Sequence, residues 1–198
     1  MKKILNRKLN TNNKGYSLVE LVIVIAILAV LSGGVIYSVG LIFTSNAKSC
    51  ANGIRTVMSD IKISTMGKAD TYAEIYRDSN DDRIYYVLHY KEKGSWVTSK
   101  PEKVGNSRVS VYYSLEGSGD RRELTGSTVN GADNIYIACN RSTGSFIPLN
   151  KLSLSGCNCS YTDTPVEHIY VEGGNRKYDL ELVKLTGKVE FHAQITTE

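Results

Sequence analysis

The longest uniform pattern in the chain is apolar. From Tyr16 to Phe43 the sequence reads YSLVELVIVIAILAVLSGGVIYSVGLIF, with Glu20 as its single charge. At about 1.5 Å per residue these residues make a helix of about 42 Å, longer than the ~30 Å hydrocarbon core of a bilayer. The pattern then becomes amphipathic. Ala47, Cys50, Ala51, Ile54, Val57, Met58 and Ile61 recur at three- and four-residue spacing, while Lys48, Asn52, Arg55, Asp60 and Lys62 occupy the other faces. This predicts that the helix continues as one apolar stripe packed on its own domain and exits near Gly67-Lys68-Ala69-Asp70.

Beyond that point the period shortens from helical to alternating. Residues 83–90 and 96–98 read as a hairpin, 108–115 as a strand, 117–131 as a polar Gly- and Ser-rich loop, and 134–139 as a strand followed by a turn at 141–146. Residues 168–172, 178–185 and 188–191 form a closing meander, with turns at Gly173-Gly174-Asn175 and Thr186-Gly187. Tyr72 to Tyr76 is too short to assign. The predicted fold class is α+β, a long N-terminal helix with a membrane half and an amphipathic half, packed on an antiparallel β-sheet domain.

An acid inside an apolar run costs roughly 3 kcal/mol or more on insertion scales, so Glu20 needs a partner. Upstream, Lys2, Lys3, Arg7, Lys8 and Lys14 give five cations and no acid, which holds residues 1–15 on the cytoplasmic side. No clean small-residue cleavage site follows Leu31, so any cut lies before the run. Lys14-Gly15 followed by Tyr16-Ser17-Leu18-Val19-Glu20 and the apolar stretch resembles the class III signal of type IV prepilins and pseudopilins. Tyr16 stands where that family more often has Phe, and the helix-bending Pro common in pilins is absent; Gly33, Gly34 and Gly40 offer other points of give. A weaker resemblance, to minor pseudopilins of type II secretion and to competence and type IV pilus subunits, is carried by IYIACNRSTGSF and YDLELVKLTGKVEF.

The resemblance implies cleavage by a prepilin peptidase between Gly15 and Tyr16, and methylation of the new amine. Glu20 becomes the fifth mature residue, and in a filament it would neutralise the amine of a neighbouring subunit and set the assembly register. The implied organisation is a leader at 1–15, a transmembrane or filament-core helix at 16–43, its amphipathic continuation at 44–67 and a pilin-like β-rich domain at 68–198. Implied partners are the peptidase, other pilin or pseudopilin subunits, the membrane, and an inner-membrane assembly platform with its ATPase. The implied location is a single-pass cytoplasmic membrane protein with an extracytoplasmic C-terminal domain, which later enters a surface or periplasm-spanning filament. DNA enters as a partner only if the filament serves uptake, with Arg121 and Arg122 to carry it. A membrane-anchored adhesin or binding domain with an uncleaved signal anchor is the alternative.

Charge changes the picture only through the leader. The formal charge is +4; removing the five leader cations from 24 Lys and Arg leaves 19 against 20 Asp and Glu, so the remainder is near neutral and gains no global attraction to nucleic acid. Tyr is abundant at 13 and Phe scarce at 3, which suits half-exposed strands.

Asp78, Asn80 and Asp82 have the one-three-five spacing of a calcium loop, but Arg83 replaces the sixth-position Gly and His89 the twelfth-position Glu; a solvated turn explains the same residues. Of the four cysteines, Cys139 is expected to bridge to Cys157 or Cys159, while Cys50 stays a small apolar group or takes the leftover thiol. Zinc on Cys157, Cys159 and His168 has a single-residue gap unlike common zinc knuckles. His89, His168 and His192 read as surface or half-buried strand residues. No nucleophile elbow and no phosphate loop is present, so the reading is a non-enzymatic subunit without a cofactor.

Overall fold

The computed structural model describes residues 16–67, 69–157 and 163–195, apart from the side chains of 33–39, 69 and 127. Among the described residues one helix, α1 (Leu18–Gly67), is followed by twelve strands: β1 (Ala69–Asp78), β2 (Ile84–Glu92), β3 (Ser95–Thr98), β4 (Glu102–Gly105), β5 (Ser110–Leu115), β6 (Arg122–Glu123), β7 (Gly126–Ser127), β8 (Ile135–Cys139), β9 (Phe146–Ile147), β10 (Val166–Gly173), β11 (Arg176–Val183) and β12 (Lys188–Ile195). A 3-10 turn covers Leu149–Lys151. The fold is α+β, as the change of period predicts. By compactness the chain divides after Val39.

The described part of the first unit is the beginning of α1. In the second unit the rest of α1 lies against two sheets. One sheet runs β3-β2-β1-β8-β9, with β4 also on β2 and β7 on β1; the other runs β12-β11-β10-β5-β6. All pairings are antiparallel except β1 with β7. The sequence pattern predicts one sheet. Alternation fixes which face a side chain takes, whereas the partner of a strand is set by long-range pairing such as β5 with β10 and β1 with β8.

Ala47, Cys50, Ala51, Ile54, Val57, Met58 and Ile61, the predicted stripe, are all buried. They join Ala73, Ile75, Ile135 and Ile137 from the first sheet, and Val111, Ile169, Val171 and Leu180 from the second, in one core. Close approach is achieved with glycines. A Cβ on Gly105 would lie 2.6 Å from the Cys50 sulfur, and one on Gly53 would lie 2.9 Å from Val104. Gly53, a weak point by helix propensity, is the place where β4 meets the helix.

The far face of the first sheet has a smaller core. Tyr72, Tyr136, Ala138 and Leu149 are buried there, with Trp96, Ile147, Leu152, Leu154 and Cys157 packed on them. Strand β1 is thus covered on both sides, and residues 71–77 are buried without a break. Its buried Arg77 donates to the carbonyls of Leu124, Val109 and Asp82, tying three loops to the end of the strand.

Candidate functional site

The N-terminal end of α1 is built by a local motif. Ser17 caps the helix: its Oγ accepts from the Glu20 amide at 3.3 Å, and its carbonyl accepts from the Leu21 amide at 3.1 Å. Ser17-Leu18-Val19-Glu20 has the spacing of a capping box, in which the acid stands at the third helical position. Glu20 is also the acid of the first turn, where the positive end of the helix dipole favours a carboxylate by about 0.3–1 kcal/mol. Glu20 is exposed, and so is Tyr16. Sequence spacing alone could have revealed the cap.

Around this cap the helix shows apolar side chains on all sides. From Leu18 to Leu31 every large hydrophobic is exposed, the least of them Val24 at 47%. The same helix, 16 residues past Leu31, begins a stripe that is fully covered, starting at Ala47. A contiguous apolar surface of that extent marks an interaction or membrane surface in a native protein. Among the described residues no helix is long and apolar enough to cross a membrane; in the sequence the apolar run goes on to Phe43, through residues whose side chains lie outside the description. The predicted cut after Gly15, and the leader itself, also lie outside the described residues.

A second constellation, in the first sheet, joins a hydroxyl, an imidazole and a carboxylate. Thr98 Oγ1 is 3.0 Å from His89 Nδ1, and His89 Nε2 is 2.7 Å from Glu74 Oε2. The other oxygen of Glu74 accepts from the Asn130 amide, the Asn134 side chain and the Tyr136 hydroxyl. Tyr72 stacks on the imidazole, with ring centroids 4.5 Å apart and planes at 13°. Both imidazole nitrogens are engaged and one ring face is roofed, so the ring has no free nitrogen with which to take a proton from a substrate. The cluster acts as a polar clasp within the sheet: both oxygens of the buried Glu74 are bonded, while the amide oxygen of Asn134 is buried without a hydrogen-bond partner. His89 is buried, where the sequence pattern predicts a surface or half-buried residue. Glu74 was missed altogether, because its strand was not assigned.

The predicted Cys139–Cys157 bridge is absent. Cys50, Cys139 and Cys157 are free thiols, and Cys159 lies outside the described residues. The reason is strand parity. Cys139 faces the helix-side core, whereas Cys157 covers the opposite face of the same sheet and lies 3.0 Å from the Tyr72 hydroxyl. Burial pushes the Cys50 thiol up to about 12, against a smaller downward pull from Arg77, and that of Cys139 up to about 11, against Lys62. These are packing groups in their present state. His168 Nδ1 lies 2.9 Å from Asp179 Oδ1, and its ring stacks on Tyr170.

Asp78, Asn80 and Asp82 form a turn held by its own bonds. Asp78 Oδ1 accepts from the amide and the side chain of Asn80, and Asp82 Oδ1 lies 3.3 Å from Arg77. Arg121 is committed as well. Its guanidinium sits between the rings of Tyr112 and Tyr170, 4.7 and 4.5 Å from their centroids, and meets Glu172 at 2.7 Å. A cation stacked and paired in this way is poorly placed to seek a phosphate.

A helix capped at Ser17, with an acid in its first turn and exposed apolar side chains from Leu18 to Leu31, thus precedes the folded α+β domain in the chain. Residues 10–36 match the family model of the prokaryotic N-terminal methylation motif, the type IV prepilin and pseudopilin signature, which marks the chain as a type IV pilin-like or pseudopilin precursor. Neither curated proteins nor solved structures give a match.

Proposed function

We propose that the chain is a structural subunit, minor or major, of a type IV pilus-like, type II secretion or competence filament, released from its leader by cleavage after Gly15. The observation that carries this reading is the division of labour along α1: exposed apolar side chains follow Glu20, and a buried stripe follows Ala47. The first part serves as membrane anchor before assembly and as packing surface afterwards; the second holds the sheet domain. Glu20 supplies the charge that a neighbour's N-terminal amine neutralises, so insertion and register are coupled. Implied partners are the prepilin peptidase, other subunits, and the membrane platform with its ATPase.

One observation favours an uncleaved anchor for an adhesin or binding domain: as the acid of the first turn, Glu20 faces the positive end of the helix dipole, a local use that needs no neighbour. The two readings separate in Glu20→Gln, because Gln also serves a capping box but carries no charge. Filament assembly lost in Glu20→Gln, with membrane retention intact, supports the filament role; assembly at the wild-type level assigns the residue to the helix terminus. The decisive experiment is intact mass and N-terminal sequencing from cells with and without an active prepilin peptidase. Protein beginning at Tyr16, with a methylated amine, only in the peptidase-positive strain is expected. Full-length protein in both strains overturns the proposal.

A further inference from the structure

We infer that the β11–β12 hairpin carries a binding site for a borderline divalent transition-metal ion of the zinc class, with Glu181, Glu190 and His192 as ligands. The inference does not depend on the filament reading. The three side chains present one donor atom each, and these atoms all lie within 4.8 Å of one another.

Register creates the site. Glu181 on β11 is directly opposite Glu190 on β12, and His192, two residues further along β12, points to the same face. Two carboxylates directly opposed across a ladder repel, and Lys188, bonded to Glu190 alone, offsets only part of that repulsion. The imidazole does not relieve the repulsion by hydrogen bonding: its Nε2 is 3.8 Å from Glu181 Oε2 and 4.0 Å from Glu190 Oε2. Those separations exceed a hydrogen bond and lie near the roughly 3.4 Å edge of a tetrahedron of donors about 2.1 Å from zinc. For the two imidazole–carboxylate pairs the difference is under about an ångström, and the two carboxylates start within 4.8 Å of each other.

The neighbours leave these atoms available. Lys188 binds the other oxygen of Glu190, Oε1, at 2.8 Å, which keeps Oε2 turned toward His192. Asp179, opposite His192 in the ladder, is held by His168. One nitrogen and two carboxylate oxygens favour a zinc-like ion over magnesium or calcium, which prefer all-oxygen shells. Three protein ligands leave a fourth position open to water or to a donor from another molecule. Because β12 is the outermost strand of its sheet, the ion would cross-link that edge to β11.

The test is calorimetric titration of the full chain in detergent micelles with zinc chloride, and separately with calcium chloride, alongside thermal unfolding. Wild type is expected to bind one zinc ion, with Tm raised by about 5 °C at saturation. His192→Ala alters an exposed position and Glu181→Gln a half-buried one of unchanged shape; both should keep the wild-type circular dichroism while losing this binding at least tenfold. Zinc binding that survives in both variants and disappears in Cys157→Ser places the ion on the thiol and overturns the proposal. So does calcium binding of equal strength that is indifferent to His192→Ala, which would reveal only an acidic patch.

Discussion

Glu74 Oε2 lies 2.7 Å from His89 Nε2, with the two side chains 0% and 4% exposed. The pair is the centre of a clasp joining β1, β2, β3 and the segment 130–136. Removing one partner leaves the other buried and unpaired, so Glu74→Ala should destabilise the folded domain by about 3–5 kcal/mol. Glu74→Gln, which keeps an acceptor oxygen, should cost less. Urea unfolding of the detergent-solubilised full chain reads both, and equal losses would show that charge is not what the clasp needs.

The contact of β4 with the helix predicts a coupled pair of substitutions. Gly105→Ala places a Cβ 2.6 Å from the Cys50 sulfur and 3.0 Å from Ile84, at a cost of about 1–3 kcal/mol. In a Cys50→Ala background the nearest obstacle is gone, and the penalty of Gly105→Ala should shrink by at least half. A double-mutant cycle that adds without interaction would contradict this packing.

Within α1, Ile54 is fully buried and Ile63 is 69% exposed. Ile54→Ala should therefore cost about 2–5 kcal/mol, while Ile63→Ala should fall within about 0.5 kcal/mol of wild type. Helix propensity rises equally in both, so the difference measures docking on the sheets.

The thiols predict an order of reactivity and a pH dependence. Cys157, half-buried, should be alkylated in the native protein well before Cys50 and Cys139, as followed by peptide mass mapping. A thiol held above its usual range in the folded state stays protonated while the unfolded chain ionises, so stability is complete below about pH 9 and falls as pH rises toward about 12. The slope attributable to Cys50 is about 1.4 kcal/mol per pH unit in that window, and Cys50→Ala should remove it.

The helix was legible in the sequence because each of its halves has one environment. Uniform apolarity marked residues 16–43, and the Ala47 to Ile61 stripe marked the docked face. Hairpins with Gly turns were legible too: Thr186-Gly187 sits between β11 and β12 as predicted. Strand β1 was not, because both its faces are buried and Thr71, Glu74 and Arg77 break the apolar run; their partners, such as His89 and Asn134, are remote in sequence. For the same reason the number of sheets and the separation of Cys139 from Cys157 required coordinates. The Ser17 cap went unread, although its three-residue spacing to Glu20 is a sequence signal.

The buried stripe of α1 has a mechanical consequence. A pull along the axis of this helix reaches the domain through side chains from Ala47 to Ile61, which must slide past two sheets together. Load in that direction is borne in shear by many contacts at once, whereas a pull across the helix would peel them one after another. The domain should therefore withstand axial tension far better than transverse tension, a difference that single-molecule stretching along the two directions would reveal.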